Sequence, residues 1–415
     1  MAGNVTLWCP CSAAQGSCAA AFPKMIEDPE LSSATVGRKW RSVACALCIA
    51  TTMTAILSGQ AYAASAFRDS LDGAFDISNW LSTRFGFVPI ASIITEPAVG
   101  LGVAGGLMFM HQSYAEARAT GSPPSISGVG GLLTENGTWG AFVFHQGYYR
   151  QDTVRYRGYG GYAAPQLSVY RELPPPIGTL RFGFNMEGWL LGQELSWRLF
   201  GSPVFLGVDY QLFTSDVSFD FDKSIPDSDP AHRSLQISGL GPLVTYDSRD
   251  NTFTPNRGIR SRLLYRFHDE FLGSDRRFHR LEWLGLAYTD HWESVVIGVR
   301  GDMRFTGGET PFYALPYVDL RGIPAMRYQG DQIYVVESQV RWDFNLRWSL
   351  VGFGGYGHAV MPSGPAAGGE NAWAAGSGFR YLIARPYGIR AGLDVARGPE
   401  EWAVYVQFGS AWSRY

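Results

Sequence analysis

Beyond residue 63 the chain has no cysteine: Cys9, Cys11, Cys18, Cys45 and Cys48 all lie ahead of that point. Disulfides and thiolate metal sites are therefore excluded from residues 64–415, and neither Cys9-Pro10-Cys11 nor the redox-spaced Cys45-Ala46-Leu47-Cys48 is read as a site. Long apolar runs are missing too. After Gly59 none reaches the length of a membrane-spanning helix, which excludes a polytopic helical protein. Charged residues are scarce, at 17%, and the net charge is −3. Arginines are interleaved with carboxylates, so there is no footprint for nucleic acid. The seven histidines include no HExxH and no pair at metal spacing, so no metal and no cofactor is read. No GxSxG elbow occurs, and the chain is not read as an enzyme. A triad assembled from separate strands is the one form of catalysis the pattern leaves open.

The one continuous apolar stretch runs from Ser42 to Gly59. Arg38, Lys39 and Arg41 precede it and Ala61-Tyr62-Ala63 follows. A basic, an apolar and a small-x-small region in that order describe a secretory signal cleaved after Ala63, with Met25 as the initiator. A single helical anchor is the alternative. Residues 1–63 are thus a signal peptide, 64–88 a short periplasmic segment and 89–415 the folded body.

What is abundant is glycine, 50 residues, and aromatic side chains, 14%. From about Pro89 onward, segments of period-two alternation recur between Gly, Pro, Asn and Asp turns. Ile389, Ala391, Leu393 and Val395 share one face, and Arg390, Gly392, Asp394 and Ala396 the other. Trp402, Val404, Val406 and Phe408 repeat the pattern. Leu263, Tyr265 and Phe267 alternate with Arg262, Arg266 and His268, and Val299, Met303 and Phe305 with Arg300, Asp302 and Arg304. A soluble sandwich does not bury a face of arginine and aspartate; a membrane barrel with a wet lumen does. The pattern predicts an all-β fold, a transmembrane antiparallel β-barrel. At roughly 20 residues per strand and connection it has about 16 strands, with 14 and 18 as alternatives.

Gly100-Leu101-Gly102-Val103-Ala104-Gly105 and Gly352-Phe353-Gly354-Gly355-Tyr356-Gly357 match GxGxxG. Neither opens a helix after a buried strand, so both are read as strand glycines. Ser215 to Ser234, with Asp216, Asp220, Asp222, Asp227 and Asp229, reads as an exposed outer loop; a calcium site is the lesser alternative, since EF-type spacing is missing. Thr306 to Asp331 is a longer loop containing Arg321-Gly322-Ile323.

Four passages carry a family resemblance. Tyr246-Asp247-Ser248-Arg249-Asp250-Asn251, followed by Phe253, Pro255 and Gly258, matches a strand-loop-strand motif. Leu320-Arg321-Gly322-Ile323, followed by Arg327-Tyr328 and Gly330, matches a loop-tip signature. Asp394 occupies the acidic position of a C-terminal strand, and Gln407-Phe408-Gly409-Ser410-Ala411-Trp412 has the spacing of a terminal targeting signal. Glu96-Pro97-Ala98-Val99-Gly100 extends the match to the first strand. These passages resemble the bacterial surface-antigen superfamily of outer-membrane barrels, the BamA/TamA family, whose members insert barrel proteins into membranes or secrete proteins through them.

The resemblance implies a long loop folded into the lumen, with Arg321, Gly322 and Ile323 at its tip. There Arg321 needs buried acceptors, and Glu337 and Asp394 are the lumen-facing candidates. Gln407, Gly409 and Trp412 are the targeting residues that outer-membrane assembly machinery would read. Family members carry periplasmic POTRA modules ahead of the barrel. The short segment 64–88 leaves no room for one, so the expectation is the short subgroup without them, with client delivery in doubt. The implied function is insertion or translocation of a protein or lipid partner in the outer membrane. The partners implied are membrane lipid, a protein client or a second copy of the chain. A passive pore and a structural barrel are the alternatives.

Overall fold

A computed structural model describes residues 67–83, 86–173, 178–219, 233–362 and 367–412. The residues read as a signal peptide, Met25 among them, and the cysteines lie outside the described residues, as do residues 220–232 of the acidic loop. Seventeen strand segments follow a short helix, α1 (Ser78–Thr83): β1 (Gly86–Ile94), β2 (Gly102–Met110), β3 (Ile126–Thr134), β4 (Trp139–Tyr149), β5 (Val154–Ala164), β6 (Gln166–Leu173), β7 (Gly178–Arg198), β8 (Val204–Phe219), β9 (Arg233–Asp247), β10 (Gly258–His268), β11 (Phe278–Trp292), β12 (Val295–Gly308), β13 (Gln332–Asp343), β14 (Trp348–Met361), β15 (Gly368–Ala384), β16 (Ile389–Arg397) and β17 (Trp402–Phe408). A second short helix, α2 (Tyr114–Ala119), sits between β2 and β3.

Seventeen segments make sixteen staves. Both β5 and β6 pair antiparallel with β7, β5 through residues 188–197 and β6 through 178–185. Pro165 lies between them, and a residue with no N–H interrupts a ladder without ending the strand's course. Every other neighbour in sequence is a neighbour in the sheet, from the β1–β2 ladder to the β16–β17 ladder. The last strand returns beside the first, giving a nearly closed antiparallel barrel whose β1–β17 junction has no ladder among the described residues. The first stave begins at Gly86, a little ahead of Pro89.

The alternation of the sequence becomes an inside and an outside. On β13, Ile333, Val335, Glu337 and Arg341 are buried, while Tyr334, Val336, Val340 and Trp342 are exposed. Leu263 and Tyr265 are exposed where Arg266 and His268 are buried, and Val299 and Met303 where Arg300 and Asp302 are buried. The outward face is leucine, valine and aromatic rings; the charges point inward. This is the reverse of a soluble protein and the arrangement of a surface bathed in lipid. Among the described residues no helix is long and apolar enough to cross a membrane.

With an even number of staves, β1 begins and β17 ends at one rim, that of the chain ends. Two connections differ from the sequence expectation. β8 runs to Phe219 and β9 starts at Arg233, so Ser215 to Phe219 are strand rather than loop. β12 runs to Gly308, so the long loop is 309–331. The two GxGxxG stretches fall largely on β2 and β14.

Candidate functional site: a loop held against the inner wall

The loop 309–331 lies along the buried faces of the staves. Val318, Leu320, Ile323 and Tyr328 pack with Ile333 and Val335 of β13, Ala359 of β14 and Ala372 and Ala374 of β15 in one apolar cluster. At its other end Met326 joins Phe184 of β7 and Val217 of β8, with Phe312, Tyr313 and Tyr317 against them. Tyr313 also takes a 3.0 Å hydrogen bond from Ser215. The segment therefore touches walls formed by distant staves. Its apolar side chains cover inner-face positions that are themselves apolar near this rim, which is why it folds inward rather than out into water.

At its tip the charges are dense. Glu337, 2% exposed on β13, accepts from Arg321 Nε at 2.9 Å, from Arg300 Nη1 at 3.3 Å and from Trp412 Nε1 at 2.6 Å. Arg321 Nη1 reaches Asp394 at 2.8 Å, and its guanidinium lies 3.5 Å over the Phe353 ring. Asp394 is fully buried and also accepts from both terminal nitrogens of Arg380, at 2.6 and 2.9 Å. Arg300 is bound in turn to Asp302 at 2.8 Å. Two carboxylates thus share three guanidiniums and an indole. Each buried charge has opposite charge and hydrogen bonds around it, the condition under which such charges are tolerated.

Gly322 has φ +93°. Its N–H donates to Tyr405 Oη of β17 at 2.8 Å, and a Cβ there would come 3.0 Å from the Gly398 nitrogen. A positive φ pressed against another backbone is a position for glycine. Ile323 is buried in the apolar cluster. Arg327 binds Glu400, between β16 and β17, at 2.6 Å and stacks on Tyr170 and Tyr328. Ala325 N–H reaches Glu96, between β1 and β2, at 3.2 Å.

The other motif residues stand apart from this centre. Tyr246 points outward. Asp247 binds Arg249 at 2.9 Å, and Asp250 accepts the backbone N–H groups of Asn256 and Arg257. These bonds shape the turn 248–257 at the rim of the chain ends. Asn251 in that turn donates to the Tyr387 carbonyl at 2.7 Å, and the Phe253 carbonyl accepts the Ser410 N–H at 2.6 Å.

Here the terminal segment departs from expectation. β17 ends at Phe408, so only Gln407 of the three targeting residues lies on a strand. The backbone turns at Gly409, φ +76°, and Trp412 is 2% exposed against Leu286 and Tyr288 of β11. The polar-Gly-aromatic spacing is there, but the aromatic points into the barrel.

Sequence reasoning missed Trp412 as a partner of Glu337. It also missed a clamp near the start of the described chain. Asp69, Asp72 and Asp76 all bind Arg347, in the β13–β14 turn, at 2.6–2.7 Å, and Asp69 also binds Arg385, in the β15–β16 turn, at 2.5 Å. Hydrogen bonds from Arg385 hold Asp69 well below the usual carboxylate range, and those from Arg347 lower Asp72. Burial pushes Asp76 up, but Ser78 and Arg347 outweigh it and leave it low. The spacing Asp-x-x-Asp-x-x-x-Asp was its only trace in sequence.

No protein-family model and no curated protein matches the chain. Solved structures do. BamA from Haemophilus ducreyi lacking POTRA domains 1–3 aligns with a TM-score of 0.52 at 12% identity, over 79% of this chain and 70% of that one. CdiB from Escherichia coli aligns with a TM-score of 0.50 at 8% identity, over 77% of this chain and 62% of that one. This chain thus spans less than two thirds of the CdiB chain. At such identities the likeness is one of fold, and the barrel fold is shared.

Proposed function

We propose that this chain, whose barrel fold is that of BamA and CdiB, is an outer-membrane barrel of the BamA/TamA type that inserts or translocates a protein or lipid partner. The loop 309–331 is its holding element. One observation carries the reading: the loop tip is bonded on both sides of the β1–β17 junction. Ala325 binds Glu96 on one side, and Gly322 and Arg327 bind Tyr405 and Glu400 on the other. A junction without a ladder is the place where a barrel could offer a strand edge to a client, and a loop spanning it would hold that edge closed. Outer-membrane assembly machinery would bring the barrel to the membrane by reading Gln407, Gly409 and Trp412.

The second reading is a passive pore. A charged cavity of about 440 Å³, lined by Arg157, Glu194, Asp209, Arg262, Arg280 and Glu282 among others, favours it, since rings of charge set ion preference. Planar-bilayer recordings separate the two. The holding role requires a mostly closed barrel that opens when 309–331 is deleted. A large, steady conductance indifferent to that deletion would leave the pore. Crosslinking from β1 and β17 in cells would then identify the client.

A further inference from the structure

A second polar constellation lies on the opposite surface, facing lipid rather than lumen. Ser127 Oγ is 2.7 Å from His145 Nδ1 and 2.8 Å from His111 Nε2, and His145 Nε2 is 2.8 Å from Tyr149 Oη. The register makes it: Ser127 of β3 stands directly opposite His145 of β4 and, on its other side, Phe109 of β2, with His111 just past that strand's end. Ser127 shares its face with Val129 and Leu133, and His145 shares its face with Val143 and Tyr149, all exposed except the two polar residues themselves. Phe109 lies 5.1 Å from the His111 ring and 5.0 Å from Phe87. A Cβ at Gly147 would collide with the Tyr149 phenol, so the glycine lets that ring fold back onto His145.

A serine hydroxyl has one proton. With an imidazole nitrogen on each side, at most one can accept that proton, and the other must donate to Oγ to be bonded to it. In one self-consistent order, His111 Nε2–H donates to Ser127, Ser127 donates to His145 Nδ1, and His145 Nε2–H donates to Tyr149. That is a nucleophile on a base, the base oriented by a third group, and an N–H donor, His111 Nε2, on the attacking oxygen itself. An aromatic girdle needs only amphipathic rings at the interface; it does not account for a serine held between two histidines.

We infer that Ser127, His145 and Tyr149, with His111, form an outward-facing esterase site for the acyl esters of glycerophospholipids in the adjoining leaflet. The site lies at the rim of the chain ends, at the level where strands meet headgroups, and ester carbonyls lie between headgroup and tail. Ser127 Oγ adds to the ester carbonyl carbon as its proton passes to His145 Nδ1, and His111 Nε2–H, released from Oγ as that oxygen becomes bonded, is the donor within reach of the developing oxyanion. The bond to the glycerol oxygen breaks, and that oxygen takes the proton from His145, releasing a lysophospholipid and leaving acyl-Ser127. Water then attacks the acyl carbon and gives a proton to His145. The bond to Oγ breaks, Ser127 regains the proton and a fatty acid leaves. The reaction consumes one ester and one water.

The test uses the full barrel in phosphatidylglycerol–detergent micelles, with fatty-acid release and fluorophosphonate labelling as readouts. The intact protein should release fatty acid and carry the label on the peptide containing Ser127. Ser127→Ala should abolish the label and lower release at least about 100-fold, the scale of lost acid–base and nucleophilic catalysis. Tyr149→Phe should slow release while Ser127 still labels. Heat-modifiable gel migration shows that each variant has folded. No release by the intact protein, a label elsewhere, or equal release by Ser127→Ala would each overturn the assignment.

Discussion

Arg321 and Trp412, far apart in the chain, end on the two oxygens of one carboxylate: the guanidinium on Glu337 Oε1 at 2.9 Å and the indole N–H on Oε2 at 2.6 Å. The loop and the C-terminal tail are thus fastened at a single point on β13. Each is also held elsewhere, the loop by Asp394 and the tail by the Phe253 carbonyl.

Replacing Arg321 by alanine leaves Glu337 and Asp394 each short of a buried cation. Removing one partner of a buried pair costs about 3–5 kcal/mol. The variant should lose its heat-modifiable gel shift at a lower temperature than the parent. Arg321→Lys, which keeps the charge but not the planar fork, should fall between them. A shift temperature equal to the parent's would mean that the loop is held without this residue.

Trp412→Phe keeps the ring against Leu286 and Tyr288 but removes the donor to Glu337. Oε2 keeps Arg300 Nη1 at 3.3 Å, so the expected loss is that of one hydrogen bond to a charged group, about 1.5–3 kcal/mol, seen as a lower melting temperature in detergent with membrane insertion retained. Deleting Gln407 to Tyr415 should instead abolish recovery in the outer-membrane fraction. Recovery of the truncated chain there would remove the targeting role.

These two side chains show what was legible in the sequence. Strand parity reads directly from side-chain period, which with the family resemblance is how Asp394 could be placed on the inner face, and how the outward rows of β10, β12 and β16 could be drawn; Glu337 was legible only as a carboxylate on the segment just after the loop. Parity holds only while a strand continues. Nothing in Gly409-Ser410-Ala411-Trp412 reveals that the glycine has a positive φ and turns Trp412 inward. Likewise, Asp69, Asp72 and Asp76 find Arg347 and Arg385 across the whole length of the barrel sequence, and no local periodicity encodes such a contact. Ser127 and His145 are adjacent only through register, which spacing along one chain does not express.

The acidic clamp makes a pH prediction. The folded-state pKa values of Asp69, Asp72 and Asp76 are depressed. Their contribution is therefore present above the unfolded carboxylate value of about 4 and drains away as pH falls below it. Limited proteolysis ahead of β1 should be slow near about pH 6 and faster near about pH 3, where part of the contribution is already lost. Arg347→Ala should make it fast at both. A cleavage rate that ignores pH in the parent would show that the clamp does not hold this segment.

Gly322→Ala puts a side chain at φ +93° against the Gly398 backbone. A strained backbone of this kind costs of order 1–3 kcal/mol. Because the same residue's N–H holds Tyr405, the variant should show more frequent opening events in single-channel records than the parent. Identical records would place the closure elsewhere.

The staves are very unequal in length. At about 3.3 Å per residue and a tilt near 40°, the seven residues of β17 rise roughly 18 Å, whereas the 21 residues of β7 rise roughly 53 Å, against an apolar band of about 25 Å. One flank stands well clear of the bilayer. The other is shorter than the hydrocarbon it must match, so the lipids beside the β1–β17 junction have to thin or tilt to meet it. Bilayer thickness is thereby a variable acting on that junction, and thinner-chained vesicles should accept this barrel faster than thicker ones.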